Sequence, residues 1–144
     1  MKFITTVNFC PSPNGTLIDK EFCQKILRVK NFVPAISLEG FADTNDIRRE
    51  ESVYQKITHA MELLKLHKLP FAISVCYTSQ NFEDVSSEAF YDKIIDMVAL
   101  FVWFFHCMPI GNAASAKLIL NPEQHIQRCT NVFRNFMEAQ LSSL

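Results

Sequence analysis

Pro70-Phe71-Ala72-Ile73-Ser74-Val75-Cys76-Tyr77 is apolar almost without a break. A strand with one wet face alternates apolar and polar residues, so an unbroken short run of this kind predicts a strand covered on both faces, as in a parallel sheet. The flanking sequence repeats the signal. Upstream, Phe32-Val33-Pro34-Ala35-Ile36-Ser37 predicts a strand in spite of its proline, and Lys2–Phe9 (KFITTVNF), rich in β-branched and aromatic residues, predicts another. Downstream, Ala99–Phe105 (ALFVWFF) predicts a fourth.

Between these runs the apolar spacing turns helical. After a turn signal at Pro11-Ser12-Pro13-Asn14-Gly15, Asp19 is placed to cap a helix that buries Phe22, Ile26 and Val29. A polar loop from Glu39 to Glu51 leads to a helix with Val53, Ile57, Ala60, Met61 and Leu64 on one face, opened by a capping box of Ser52 and Gln55. A third helix, from about Ser87 to Met97, turns Phe90, Ile94 and Met97 inward. Asn121-Pro122-Glu123-Gln124 supplies cap, N1 proline and N3 glutamine for a last helix, with Ile126, Cys129, Phe133, Phe136 and Met137 as its buried stripe.

The strands start at intervals of roughly 30–40 residues, the length of a βαβ unit. The expected fold is therefore α/β: four consecutive β–α units in a parallel sheet with helices on its outer face. A doubly wound open sheet and a segment of a TIM-like (β/α) barrel both satisfy this reading.

At 144 residues the chain predicts a single domain, spanning 1–144. Its 49% apolar content excludes a disordered chain, and the apolar run Met97 to Phe105 falls well short of the about 20 residues that a spanning helix needs. Fourteen basic against fifteen acidic residues give no support for a nucleic-acid or membrane partner. The N-terminus shows no secretory signal, and the five cysteines (10, 23, 76, 107, 129) are odd in number, which predicts a reducing, cytoplasmic setting. No two of them have metal-pair spacing, and Cys23, Cys76 and Cys129 read as small core residues.

In a parallel α/β sheet, ligands gather where strands end and helices have not begun. Sorting the polar residues by that rule places Asn8, Ser12, Asn14 and Thr16 after the first strand, and Ser37, Glu39, Asp43, Asp46, Arg48 and Arg49 after the second. Tyr77, Thr78, Ser79, Gln80 and Asn81 follow the third, with His106, Met108 and Asn112 after the fourth. The opposite turns, 29–31, 66–69 and 96–98, are short and chemically plain. Loops collect polar residues in any fold, which is the competing account of the same pattern. An arginine of the Arg48/Arg49 pair has the planar donor fork that suits a carboxylate. No G-x-G-x-x-G, Walker loop or G-x-S-x-G is present.

Four segments in order carry a family resemblance: Asn14-Gly15-Thr16-Leu17-Ile18; Ala35 through Gly40 with Asp46, Arg48 and Arg49; Pro70 through Val75 with Asn81; and Trp103 through Asn112. From about residue 14 to about 128 the chain resembles the radical SAM enzymes, particularly a subgroup with a SPASM-like C-terminal extension. The resemblance implies a partial barrel around S-adenosylmethionine, which is cleaved at a [4Fe–4S] cluster to a 5′-deoxyadenosyl radical. It implies a cofactor-binding set of Asn14, Ser37, Glu39, Arg48, Arg49, Asn81, His106 and Met108. Ser37 would lie near the ribose or carboxylate of the nucleotide, and Asn81 with the His106–Met108 stretch would line the cavity.

The chain departs from that family at decisive points. It has no C-x-x-x-C-x-x-C, no glycine–glycine–glutamate segment after it, and no cysteine-rich C-terminal region. Glu50 and Val98 stand where glycine is usual, Cys107 where tyrosine is expected and Pro13 where threonine is. A cluster needs thiolate ligands, so none is expected in this chain alone. The expectation is a truncated radical SAM-type domain, inactive unaided, with a non-catalytic scaffold module and a fragment of a full-length enzyme as rivals. Four strands leave two unpaired edges, which predicts self-association or pairing with a complementary chain.

Overall fold

The computed structural model describes residues 8–12, 15–44, 52–108, 115–127 and 130–131. Four strands, β1 (Asn8–Ser12), β2 (Phe32–Ser37), β3 (Ala72–Tyr77) and β4 (Phe101–His106), form one sheet in the order β1-β2-β3-β4. Every neighbouring pair is parallel. The connecting helices are α1 (Lys20–Val29), α2 (Val53–Leu66), a one-turn α3 (Phe82–Val85) and α4 (Glu88–Asp96). After β4 come a 3₁₀ turn at Ala116–Leu118 and helical residues 122–127. The rest of the expected fourth β–α unit, with Cys129, Phe133, Phe136 and Met137, lies outside the described residues.

Register decides between the two expected architectures. Ile36, Ile73 and Val102 form one row across the sheet, and Val75 with Phe104 the next. These residues belong to or pack on a single core that also holds Cys23 and Ile26 of α1, six residues' worth of α2's inner face led by Ile57 and Met61, Phe82 and Val85 of α3, and Phe90 and Ile94 of α4. Side chains alternate across a strand, so all four helices cover the same face of the sheet. A doubly wound sheet carries helices on both faces and reverses its strand order. Sequential order with one helical face is the winding of a barrel wall.

Four local expectations are corrected. The first strand takes in Pro11 and Ser12, read as turn, because pairing from Asn8↔Phe32 to Ser12↔Ile36 carries it forward; residues 1–7 are outside the described set. A proline is tolerated at an edge, and Pro34 of β2 precedes the point, Ala35↔Ala72, where pairing with β3 begins. The Ser52 capping box does not form: Ser52 has φ +72°, whereas a side-chain cap needs extended backbone. Val29 and Ile126 are exposed rather than core-facing.

Other caps form as read. The Asp19 carboxylate accepts from Phe22 N at 2.8 Å, and Ser87 caps α4 by accepting from Phe90 N at 3.2 Å. Asn121 and Gln124 exchange reciprocal bonds of 2.8 and 3.0 Å, a complete capping box.

Candidate functional site

The carboxyl ends of the strands are tied together by one side chain. Asn81, in the turn between β3 and α3, is buried, and its amide nitrogen donates to the carbonyl oxygens of Glu39 and Cys76, both at 3.0 Å. Its oxygen accepts from Thr78 N at 2.6 Å and from the Thr78 hydroxyl at 3.1 Å. An amide offers two donors and two acceptor positions, so these four bonds use its capacity in full. Asn81 therefore locks the segment after β2 to the segment after β3.

A second tie reinforces the first. The Asp84 carboxylate, on α3, accepts from Phe41 N at 3.0 Å. Gly40 adopts φ +131°, and a Cβ there would stand 2.9 Å from that carboxylate and 3.1 Å from Thr44 Cβ. Only glycine lets the Glu39-Gly40-Phe41 segment pass so close to α3. Glu39 is 5% exposed, enclosed by this turn.

The face of the sheet that carries no helices is different in kind. By register its rows are Ala35–Ala72–Phe101, Ser37–Ser74–Trp103 and Cys76–Phe105. Small residues on β2 and β3 thus make a shallow floor beside an aromatic wall on β4. The wall is a contiguous series of tilted and edge-to-face rings, with centroids 4.8 Å apart for Phe101–Trp103 and 6.1 Å for Trp103–Phe105. Ser37 and Ser74 are half-buried neighbours, and among the described residues neither hydroxyl is engaged in a side-chain hydrogen bond. Ala35 and Ala72 are buried, so what this face offers a ligand is the Ser37 and Ser74 hydroxyls for hydrogen bonds and the rings of β4 for apolar contact.

The expected site residues do not all meet there. Ser37 lies on the open face. Asn81 is buried between two turns as a brace, with no donor or acceptor left for a ligand. His106 pairs in register with Tyr77, a core residue, and its ring stands 5.4 Å from the Tyr77 ring and 4.6 Å from that of His125. Alternation therefore puts it on the helix-bearing face, opposite Ser37, with Nδ1 shielded from solvent and lacking a hydrogen-bond partner. The expected convergence of Ser37, Asn81 and His106 is corrected on this ground. Met108 is 70% exposed beyond β4. Asn14, Arg48 and Arg49 lie outside the described residues. Ser74 and Trp103 belong to the open face but were not singled out from sequence; the i, i+2 spacing of Ala72, Ser74 and Cys76, small residues within an apolar run, was the available signal.

Among the described residues the cysteines do not fit an iron–sulfur cluster. Cys23 is fully buried in α1, and burial, with the Asp19 charge adding to it, pushes its thiol above the ordinary value. Cys76 lies in β3 and Cys107 just past β4. Among the described residues no group of three or more His, Cys, Asp or Glu can hold a metal ion. No helix among them is long and apolar enough to cross a membrane.

Comparison with known proteins agrees with this fold. The sequence is 29% identical over 126 residues to a cysteine-type anaerobic sulfatase-maturating enzyme of Clostridium perfringens (strain 13 / Type A), covering 83% of this chain and 33% of that protein. A second strain's enzyme of the same name (ATCC 13124) matches at 29% over 99 residues, covering 66% of this chain and 26% of the relative. Among solved structures, native anSMEcpe with bound AdoMet and Kp18Cys peptide superposes with TM-score 0.78 at 25% identity, over 95% of this chain and 38% of that one. The complex with Cp18Cys peptide gives 0.76 at 26% identity over the same shares. No family model matches the sequence. The chain thus spans between a quarter and two-fifths of the proteins it resembles. The matches support the radical SAM resemblance and a fold consistent with part of that family's barrel.

Proposed function

We propose that this chain forms part of the wall of a radical SAM-type barrel and supplies part of an S-adenosylmethionine site on the open face of β2, β3 and β4. The observation that carries the reading is the Ser37–Ser74–Trp103 row, two hydroxyls with no side-chain hydrogen bond among the described residues beside an aromatic ring, in a fold whose solved neighbours hold AdoMet. The Ser37 and Ser74 hydroxyls bind the ribose or the amino-acid portion, and Trp103 packs against the ligand and excludes water. Asn14, Glu39, Arg48, Arg49 and Met108 complete the site, with an arginine taking the carboxylate. When bound in such a site, S-adenosylmethionine supplies radical chemistry on reductive cleavage at a cluster. In this reading the cluster ligands come from barrel strands other than the four described, and the contribution of β2, β3 and β4 is the wall that holds S-adenosylmethionine. The names of the matched proteins extend the proposal to a peptide substrate for the assembled enzyme.

Asn81 acts in this reading as a positioning residue, holding the Glu39 and Cys76 carbonyls so that the strand ends keep their spacing. His106, on the other face, has no part in the site. Calorimetric titration tests the proposal. S-adenosylmethionine should bind the wild-type chain saturably, and Ser74→Phe, which fills the floor, should abolish the heat while leaving the circular dichroism unchanged. Absence of specific heat from the wild-type chain would reject the site and favour a scaffold role.

A further inference from the structure

The opposite end of the sheet opens two clefts, of about 540 and about 350 Å³, that adjoin at Leu69 and Pro70 and together form a groove beneath β2, β3 and β4. We infer that this groove docks an acidic segment of a partner protein that anchors itself with apolar side chains. The inference does not rest on the proposed nucleotide site: no residue of the Ser37–Ser74–Trp103 row lines either cleft.

The groove's chemistry is one-sided. Its lining is largely apolar, with Val98 67%, Leu100 60% and Leu27 42% exposed. The charged residues are Lys65 and Lys68 in the larger cleft and Lys30 in the smaller; among the described residues no carboxylate lines either. Among the described residues none of the three pairs with an acidic side chain. The Lys65 ammonium donates to the Asp96 carbonyl oxygen at 2.5 Å, which holds that cation against the groove wall.

The backbone adds an independent observation. The turns that end α1, α2 and α4 each place one residue in the left-handed region: Lys30 at φ +58°, Lys68 at +53° and Val98 at +60°. Glycine is the residue that adopts this conformation without strain, and a β-branched valine there is a genuine outlier. The strained positions carry two of the three lysines and an exposed apolar side chain of the groove. A lysine near a helix end has its own electrostatic rationale, but Val98 has none. Cations around an apolar floor complement a segment that interleaves Asp or Glu with Leu, Ile or Phe.

The test uses the full chain and fluorescence anisotropy of a short labelled peptide that interleaves leucine with glutamate. Saturable binding should appear and should weaken as salt is raised. The triple variant Lys30→Glu, Lys65→Glu, Lys68→Glu should bind it about tenfold more weakly, as loss of three exposed charge pairs implies, and should gain affinity for the peptide with lysine in place of glutamate. Leu100→Asp, a single exposed change, should weaken the acidic peptide with far-ultraviolet dichroism unaltered. No binding by the wild-type chain, or binding indifferent to both variants, overturns the inference. So does capture of phosphatidylserine vesicles, through the same lysines, by a chain that ignores the peptide.

Discussion

The two ends of the sheet solve the same geometric problem in opposite ways. At the carboxyl end, the chain leaves β2 and β3 through turns whose polar groups satisfy one another: Asn81 bonds the carbonyls of Glu39 and Cys76, and Asp84 holds Phe41 N. At the amino end, helices return to strands through short turns closed by left-handed backbone at Lys30, Lys68 and Val98, with few side-chain bonds. One end is fixed by a buried side-chain brace and the other by the backbone bonds of its short turns with one surface bond, from Lys65 to the Asp96 carbonyl oxygen. A braced end keeps its shape when a ligand arrives, which is what preorganised recognition requires. The unbraced end tolerates residues that suit a surface better than they suit the backbone.

Asn81→Ala should have the largest effect, because it strands the buried carbonyls of Glu39 and Cys76 and the Thr78 amide at once. Urea unfolding should show a loss of about 3 kcal/mol, in line with several unsatisfied buried groups. A loss no greater than that of an exposed substitution would remove the brace from the comparison. Gly40→Ala should follow, since it combines φ +131° with a Cβ 2.9 Å from the Asp84 carboxylate. The expected destabilisation is about 2 kcal/mol by the same measurement.

The amino end predicts the opposite sign. Val98→Gly relieves left-handed strain at φ +60° and should raise stability by about 1 kcal/mol, read from the urea midpoint at unchanged slope. Destabilisation there would mean that the Val98 side chain packs more than its exposure indicates. The smallest effect belongs to neither end. Cys23 is buried in α1, and burial raises its thiol above the ordinary 9.0. Its folded value exceeds its unfolded one, so the stability it contributes is complete below pH 9.0 and declines as pH rises through the folded value. Urea midpoints of wild type and Cys23→Ala should converge over that alkaline range, and parallel curves would contradict the assignment.

Much of this fold was legible in the sequence because apolar pattern determines strand identity. PFAISVCY announced a buried parallel strand, and the helix faces of α2 and α4 followed from 3.6-residue spacing. What the sequence left open was winding. The choice between a doubly wound sheet and a barrel wall depends on strand order and on which face the helices cover, and both are tertiary facts. The site was legible only by end. The rule that ligands gather at carboxyl ends named Ser37, Asn81 and His106 together, but the period-2 alternation that sends Ser37 and His106 to opposite faces depends on strand limits. β4 runs from Phe101 to His106, so the histidine belongs to the strand and not to the loop after it. Asn81 was visible as a polar residue past β3, while its role as a brace rests on the approach of Glu39, distant in sequence.

The account turns on which face of the sheet takes S-adenosylmethionine, and Trp103, the chain's single tryptophan, reports on that face alone. Titration followed by tryptophan emission should give a saturable change in the wild-type chain and in His106→Ala, and none in Ser74→Phe. Emission that stays constant in the wild-type chain while calorimetry registers binding, or a response lost with His106→Ala, would place the ligand elsewhere and contradict it.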